Sequence, residues 1–399
     1  MFSERTSWQL TRNRLTETLE SLRASGTKIL DLTVSNPTRA GLQYDEAAIL
    51  GSLSSPSAID YDPQPRGLRQ AREAVADYYR AEYACGGQAV HGFDAEQIVL
   101  TTSTSEGYSF LFRLLCNPGD ELLVPEPSYP LFEFLADLED VKLAPYPLIY
   151  DHGWQMDFHS LDEAVTPRTR GVVVVHPNNP TGSYVKAQEL SLLNAFCREH
   201  GSGNAGLALI VDEVFLDYAH DGHPRRSFAA NQDVLTFTLS GLSKISALPQ
   251  MKVAWTAVSG PAAETAPALA RLEVIADTYL AMNAPLQWAT PVLLEQRKSL
   301  QAQLLARVRG NLAELDGQLA GQKSCGRLEV EGGWYAVLRV PVMKSDEDLA
   351  IDLLRQKSVL VHPGHFYNFP RDGYLVLSLI TPAAEFSEGV GRVLESLIC

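Results

Sequence analysis

"RGVVVVHPNNPTG", residues 170–182, joins four consecutive valines to a run of proline, asparagine and glycine. A continuous β-branched run bounded by turn residues is the pattern of a strand buried on both faces, and strands of that kind belong to mainly parallel sheets covered by helices. The same texture recurs outward in both directions. "DELLVPEPSYP" precedes it, and "LALIVDEVF" and "VLTFTLSGLSK" follow, with helical stretches such as "GLRQAREAVADYYRAEYA" between the apolar runs. The alternation predicts an α/β fold: a large domain with a mainly parallel, seven-stranded-type sheet between helices. Beyond residue 262 long helical stretches take over, and "RLEVEGGWYAVLRV", "SVLVHPG" and "GYLVLSLI" then read as the strands of a smaller α+β domain. The predicted division is an N-terminal segment 1–48 belonging to the small domain, a large domain 49–285 and a small C-terminal domain 286–399.

The chain has 399 residues, 45% hydrophobic and 20% charged, enough material for sizeable cores, and a formal net charge of −15. Phosphate backbones and anionic membrane surfaces are bound through clustered Lys and Arg, so neither a nucleic acid nor a membrane is an expected partner. Five scattered cysteines, Cys85, Cys116, Cys197, Cys325 and Cys399, lack C-x-x-C spacing and read as reduced thiols. His362 and His365 stand close in "HPGH" without a thiol or carboxylate partner, so no metal is expected. The N-terminal stretch has no apolar core of a secretory signal, and no run approaches the roughly 18 apolar residues of a membrane span, which predicts a cytoplasmic protein.

Ligands of open parallel sheets bind beyond the carboxyl ends of the strands. Those positions hold "TTSTS" (101–105), "PSYP" (127–130), "HPNNPTG" (176–182), "DEVF" (212–215) and "LSGLSK" (239–244). Ser103, Thr104 and Ser105 open a helix, where backbone N–H groups and the helix dipole favour a phosphate. Together with "YDPQPRG" (61–67), "SKISALPQMKVAW" (243–255) and "PGHFYNF" (363–369), this order resembles the pyridoxal-phosphate enzymes of the aspartate-aminotransferase fold, and most closely the class I/II aminotransferases, over nearly the whole chain.

The resemblance implies pyridoxal 5′-phosphate as cofactor, with Lys244 forming the Schiff base to its aldehyde and later moving the substrate's α-proton. That task needs an amine whose pKa is lowered by burial. Asp212 would pair with the pyridinium nitrogen, Asn179 would donate to the 3′ oxygen, and Tyr129 would stack on the ring. Ser103, Thr104, Ser105, Ser243 and Lys252 would hold the phosphate. Tyr61 would reach the phosphate from a neighbouring subunit, which implies a homodimer. The partners expected are a small-molecule amino donor and a keto acceptor, exchanged by a ping-pong mechanism.

Four departures from the family pattern stand out. Phe215 replaces a tyrosine that would donate to the 3′ oxygen; Lys252 replaces an arginine; Gly241 replaces a serine. In "GYLVLSLITP", Val376 stands where the arginine for the substrate α-carboxylate is usual. Arg39 in "SNPTRAG" is the candidate replacement, with Asn36 beside it, and Arg371 is a second. The same departures leave open a lyase, decarboxylase or oxidase on this scaffold; a regulatory domain without catalysis is the further alternative, which the intact lysine opposes.

Overall fold

The computed structural model describes residues 1–82, 93–130, 132–201, 206–223 and 225–397. Its strands are β1 (Leu30–Asp31), β2 (Ile98–Thr101), β3 (Glu121–Glu126), β4 (Lys142–Tyr150), β5 (Trp154–Met156), β6 (Thr169–Val175), β7 (Ala208–Asp212), β8 (Thr236–Gly241), β9 (Ala254–Ser259), β10 (Gly326–Arg327), β11 (Tyr335–Arg339), β12 (Val359–Leu360), β13 (His362–Pro363) and β14 (Tyr374–Ser378).

The large sheet has the order β2-β9-β8-β7-β6-β3-β4-β5. Strands β8, β7, β6, β3 and β4 run parallel; β9 is antiparallel to both its neighbours, so β2 again points the same way as β8. The valine run is β6, with Val172 and Val174 in one apolar cluster and Val173 and Val175 in another across the sheet. This two-sided burial is what an uninterrupted β-branched run requires. The sheet has eight strands where seven were expected. The extra one, β5, is a three-residue arm folded antiparallel onto β4, too short to leave a pattern in the sequence.

A second sheet, β10-β11-β14-β13, is antiparallel, and β1 pairs with β12 in parallel. Leu15, Leu30 and Leu32 therefore share a core with Leu304, Val308, Leu377 and Phe386. The helix Ala284–Glu295 buries Ala289, Leu293 and Leu294 against Val75 and Trp255 of the large sheet's flank.

Cys116, Cys197 and Cys325 are free thiols, whereas Cys85 and Cys399 lie outside the described residues. Among the described residues no three His, Cys, Asp or Glu side chains gather as a metal site, and no helix is long and apolar enough to cross a membrane.

Candidate active site

Strands β2, β3, β6, β7 and β8 all end on one edge of the large sheet, and the residues that follow them build the site. Asp212 closes β7 opposite Leu239 of β8, and Lys244 follows β8 in the short helix Leu242–Ile245. The Asp212 carboxylate accepts hydrogen bonds from the Val214 amide (3.1 Å) and the Tyr108 hydroxyl (3.2 Å). Burial pushes its pKa up to about 6, with these donors and the Lys244 charge opposing. The Lys244 amine is pulled down to about 8 by burial, with Asp212 opposing. In both groups loss of hydration outweighs their mutual attraction, so at neutral pH the acid is ionised and the amine stands within a unit of losing its proton.

The chamber around the amine is aromatic. Lys244 Nζ lies 5.0 Å from the Trp334 ring centre and 5.5 Å from that of Phe215, and donates to the Ser35 carbonyl at 3.5 Å. The lead-in segment at Ser35 thus passes over the lysine. The Tyr218 hydroxyl donates to the Lys244 carbonyl at 2.6 Å and so fixes the backbone, leaving Phe215 unreplaced as a hydroxyl donor.

The two asparagines of "HPNNPTG" have different duties. Asn178 Oδ1 accepts from the Thr181 amide and hydroxyl, which locks the turn. Asn179 is buried with its Oδ1, an acceptor, unpartnered, a costly condition unless a donor reaches it. Ser103 caps the helix Thr104–Leu115 by accepting from the Glu106 amide, and the first intrahelical bond runs from Gly107 to Ser103. The Thr104 and Ser105 amides precede that ladder and form a positive edge. Tyr129 is 43% exposed and feels the Asp212 charge, so it stands at the mouth of the same chamber.

Other sequence candidates lie further out. Ser243 is half-buried next to Lys244; Lys252 is exposed in the left-handed region at φ 47°. Asn36 uses its side chain to accept from the Thr38 amide and hydroxyl. Arg39, three residues on, is exposed, and Arg371 donates to the Tyr374 hydroxyl at 3.4 Å. Tyr61 is exposed at a cavity lined by Leu68, Met282, Gln287 and Trp288, apart from the contacts of Lys244. Tyr108, Tyr218, Trp334 and Tyr335 were not singled out by sequence. Only Tyr108 carried a signal, one helical turn beyond Thr104 and hence on the same helix face.

Gly241 has a steric cause. A Cβ there would stand 2.8 Å from the Val253 carbonyl oxygen and 2.9 Å from the Ala254 Cβ, because β8 and β9 close together at this point. Gly241→Ser is therefore expected to lower stability by about 1–3 kcal/mol, measured by urea unfolding; an unchanged midpoint would contradict the tight approach.

A flat pyridine bearing an aldehyde, a phenolic oxygen and a phosphate fits these residues: a deprotonatable amine, a buried carboxylate, a side-chain amide whose NH2 can donate and a helix N-terminus. Residues 6–388 match the model of the family "aminotransferase class I and II". The chain belongs to that family, whose members are enzymes that transfer amino groups. It is 27% identical over 383 residues to a glutamate-pyruvate aminotransferase of Haemophilus influenzae, covering 93% of this chain and 91% of the relative. An alanine aminotransferase of Mycobacterium bovis is 28% identical over 388 residues, covering 93% and 86%. Among solved structures, an alanine aminotransferase from Pyrococcus furiosus superimposes with a TM-score of 0.88 at 21% identity, covering 100% of both chains.

Proposed function

We propose that the enzyme uses pyridoxal 5′-phosphate to move an amino group from a small-molecule amino donor to a keto acceptor in a ping-pong cycle. The observation that supports this reading is the Lys244 amine, lowered to about 8 and within electrostatic reach of the Asp212 carboxylate, both at the same strand edge. When bound, the cofactor supplies an electron sink for the bond broken at the substrate's α-carbon. Lys244 would link to its aldehyde; Asp212 would hold its ring nitrogen protonated; Asn179 would meet its phenolic oxygen, and Tyr129 its ring face. Ser103, Thr104, Ser105, Ser243 and Lys252 would hold its phosphate.

The chain's own residues divide the remaining work. Near pH 8 the Lys244 amine exists in both protonation states, so it takes a proton at Nζ and returns it without a large penalty in either direction. Asp212, anchored by Tyr108 and Val214, keeps its charge in place. Trp334 and Phe215 exclude water from the amine. Arg39, with Asn36, is the proposed cation for the substrate carboxylate, supported by the passage of the Ser35 carbonyl over Lys244.

A homodimer is supported by the exposed apolar side chains Ile59, Tyr61 and Leu280 around the Tyr61 cavity, and would bring Tyr61 to a second copy's phosphate site. The grouping of residues 1–48 with 286–399 is supported by the β1–β12 pairing. A cytoplasmic location fits the acidic composition.

The test adds amino acids to the holoenzyme and follows its visible spectrum. Conversion to the aminated cofactor, reversed by a keto acid after the donor is removed, is the expected result. Release of ammonia or CO₂ without that conversion would overturn transamination. Arg39→Ala is expected to raise KM for amino acids about tenfold or more with cofactor content unchanged. An unaltered KM would remove Arg39 from the site.

A further inference from the structure

The Asn179 turn, the Asp212–Tyr218 segment and Trp334 come to the Lys244 chamber from three separate stretches of chain, and one side chain joins them. Tyr184 stands two residues beyond the Asn178–Gly182 turn. Its hydroxyl donates at 3.0 Å to the carbonyl of Leu216, the residue after Phe215. Its ring lies under Gly332, two residues before Trp334. A Cβ on Gly332 would stand 2.6 Å from both the hydroxyl oxygen and Cε2 of Tyr184, so the backbone there rests directly on the ring. The ring is 3% exposed and held on its other sides, where the His176 ring meets it edge-on at 5.1 Å and the Arg225 guanidinium covers it at 5.0 Å.

Backbone bonds press the connection between β10 and β11 onto this ring. The Gly182 carbonyl accepts from the Glu331 amide at 3.3 Å and the Gly332 amide at 3.0 Å, and the Tyr218 carbonyl accepts from the Gly333 amide at 3.0 Å. A Cβ on Gly182 would overlap the Gly332 carbonyl oxygen, so the two segments approach as closely as glycine allows. The Glu331 carboxylate accepts from the Tyr184 amide at 3.3 Å and pairs with Lys186, but that pair is partly exposed and adds little beside the backbone contact. Trp334 follows at once. It is 1% exposed, with its ring 5.0 Å from Lys244 Nζ and 5.1 Å from the rings of Phe215 and Tyr218. The height of this wall over the amine is therefore set two residues earlier, on Tyr184.

We infer that Tyr184 is a positioning residue for amino transfer: its ring and hydroxyl lock the Asn179 turn, the Phe215 segment and the Trp334 wall at one spacing around the Lys244 amine. Tyr184 acts through Trp334 and Phe215. With the ring removed, the connection settles into the space, Trp334 backs away from the amine and water enters. Hydration then relieves part of the burial that holds the Lys244 amine at about 8, and only the Asp212 charge still acts on it, in the upward direction. The consequence for turnover rests on the transamination reading above, whereas the consequence for the amine does not.

The test reads the midpoint of the Lys244 amine in the full-length apoprotein, from the pH dependence of its reaction with a small acylating reagent, and kcat in the holoenzyme. Tyr184→Leu is expected to raise the midpoint by about one pH unit or more toward 10.5 and to lower kcat about tenfold or more, the scale of a misplacement near one ångström. Tyr184→Phe keeps the ring under Gly332 and is expected to hold the midpoint within about half a unit of the wild type. Packing alone would lower the urea midpoint of unfolding and leave the amine unmoved. An unmoved amine in folded Tyr184→Leu would therefore overturn the inference, as would a Tyr184→Phe midpoint displaced as far as that of Tyr184→Leu. If Tyr184→Leu does not fold, Gly332→Ala decides, because the added Cβ lifts the same connection off the ring: a raised midpoint supports the role and an unchanged one opposes it. A wild-type holoenzyme that fails to transaminate, with variant midpoints that move as expected, would remove the transamination reading and leave the positioning of the amine supported.

Discussion

Lys244→Ala is expected to abolish the visible absorption of the covalently held cofactor and to slow amino transfer by roughly 10³-fold or more, the scale lost when a positioned acid–base group is removed. The apoprotein of the same variant is expected to be more stable than the wild-type apoprotein at neutral pH, by up to about 3 kcal/mol. The sign follows from the shift of the amine from 10.5 to about 8. Below pH 8 both folded and unfolded chains carry the proton, and the folded chain bears the cost of the buried charge. Between pH 8 and 10.5 only the unfolded chain retains it, so wild-type stability rises with pH through that window. The variant has no such rise from this position. Urea unfolding of both apoproteins at pH 7 and pH 10 measures the difference; equal slopes would show that the lysine is hydrated in the folded chain.

Asp212→Asn is expected to reduce turnover on the order of 10³-fold, as removal of a preorganised charge at a reacting centre does. Asparagine preserves the size and the hydrogen bond from Tyr108, so the loss reports the charge itself. A second readout is independent of turnover. Asp212 raises the Lys244 pKa against burial, and without it the amine's midpoint should move below 8, seen in the pH dependence of its reaction with a small acylating reagent. In the wild type, cofactor affinity is expected to fall as pH drops through about 6, where the carboxylate takes up its proton and loses its attraction for a pyridinium. Turnover within a fewfold of wild type, or an unmoved lysine midpoint, would contradict the pairing.

The amino-acid order settled the layer architecture and placed Asp212 and Lys244 at strand ends. Buried parallel strands need uninterrupted apolar runs, and chemistry in such sheets collects where those runs stop; Asp212 and Lys244 both stand there. Asn179 was named only through the family resemblance; in the fold its unpartnered Oδ1 separates it from Asn178, whose oxygen is committed to the turn. Gly241 was legible as a departure, but its cause was not, since the close approach of Val253 belongs to strand pairing.

What the fold alone decided is who surrounds the amine and in which protonation state. Tyr108 reaches Asp212 across 104 residues of chain, and Ser35 reaches Lys244 across 209. No local pattern encodes contacts of that length. His362 illustrates the same limit: in sequence it is half of an unconvincing metal pair, and only the β13–β14 register sets it beside Val376, with Tyr367 on its Nδ1. Apolar spacing records which residues leave water, whereas pKa, partner and substrate preference depend on what several distant segments bring to one point, and that is determined only when the two sheets are packed.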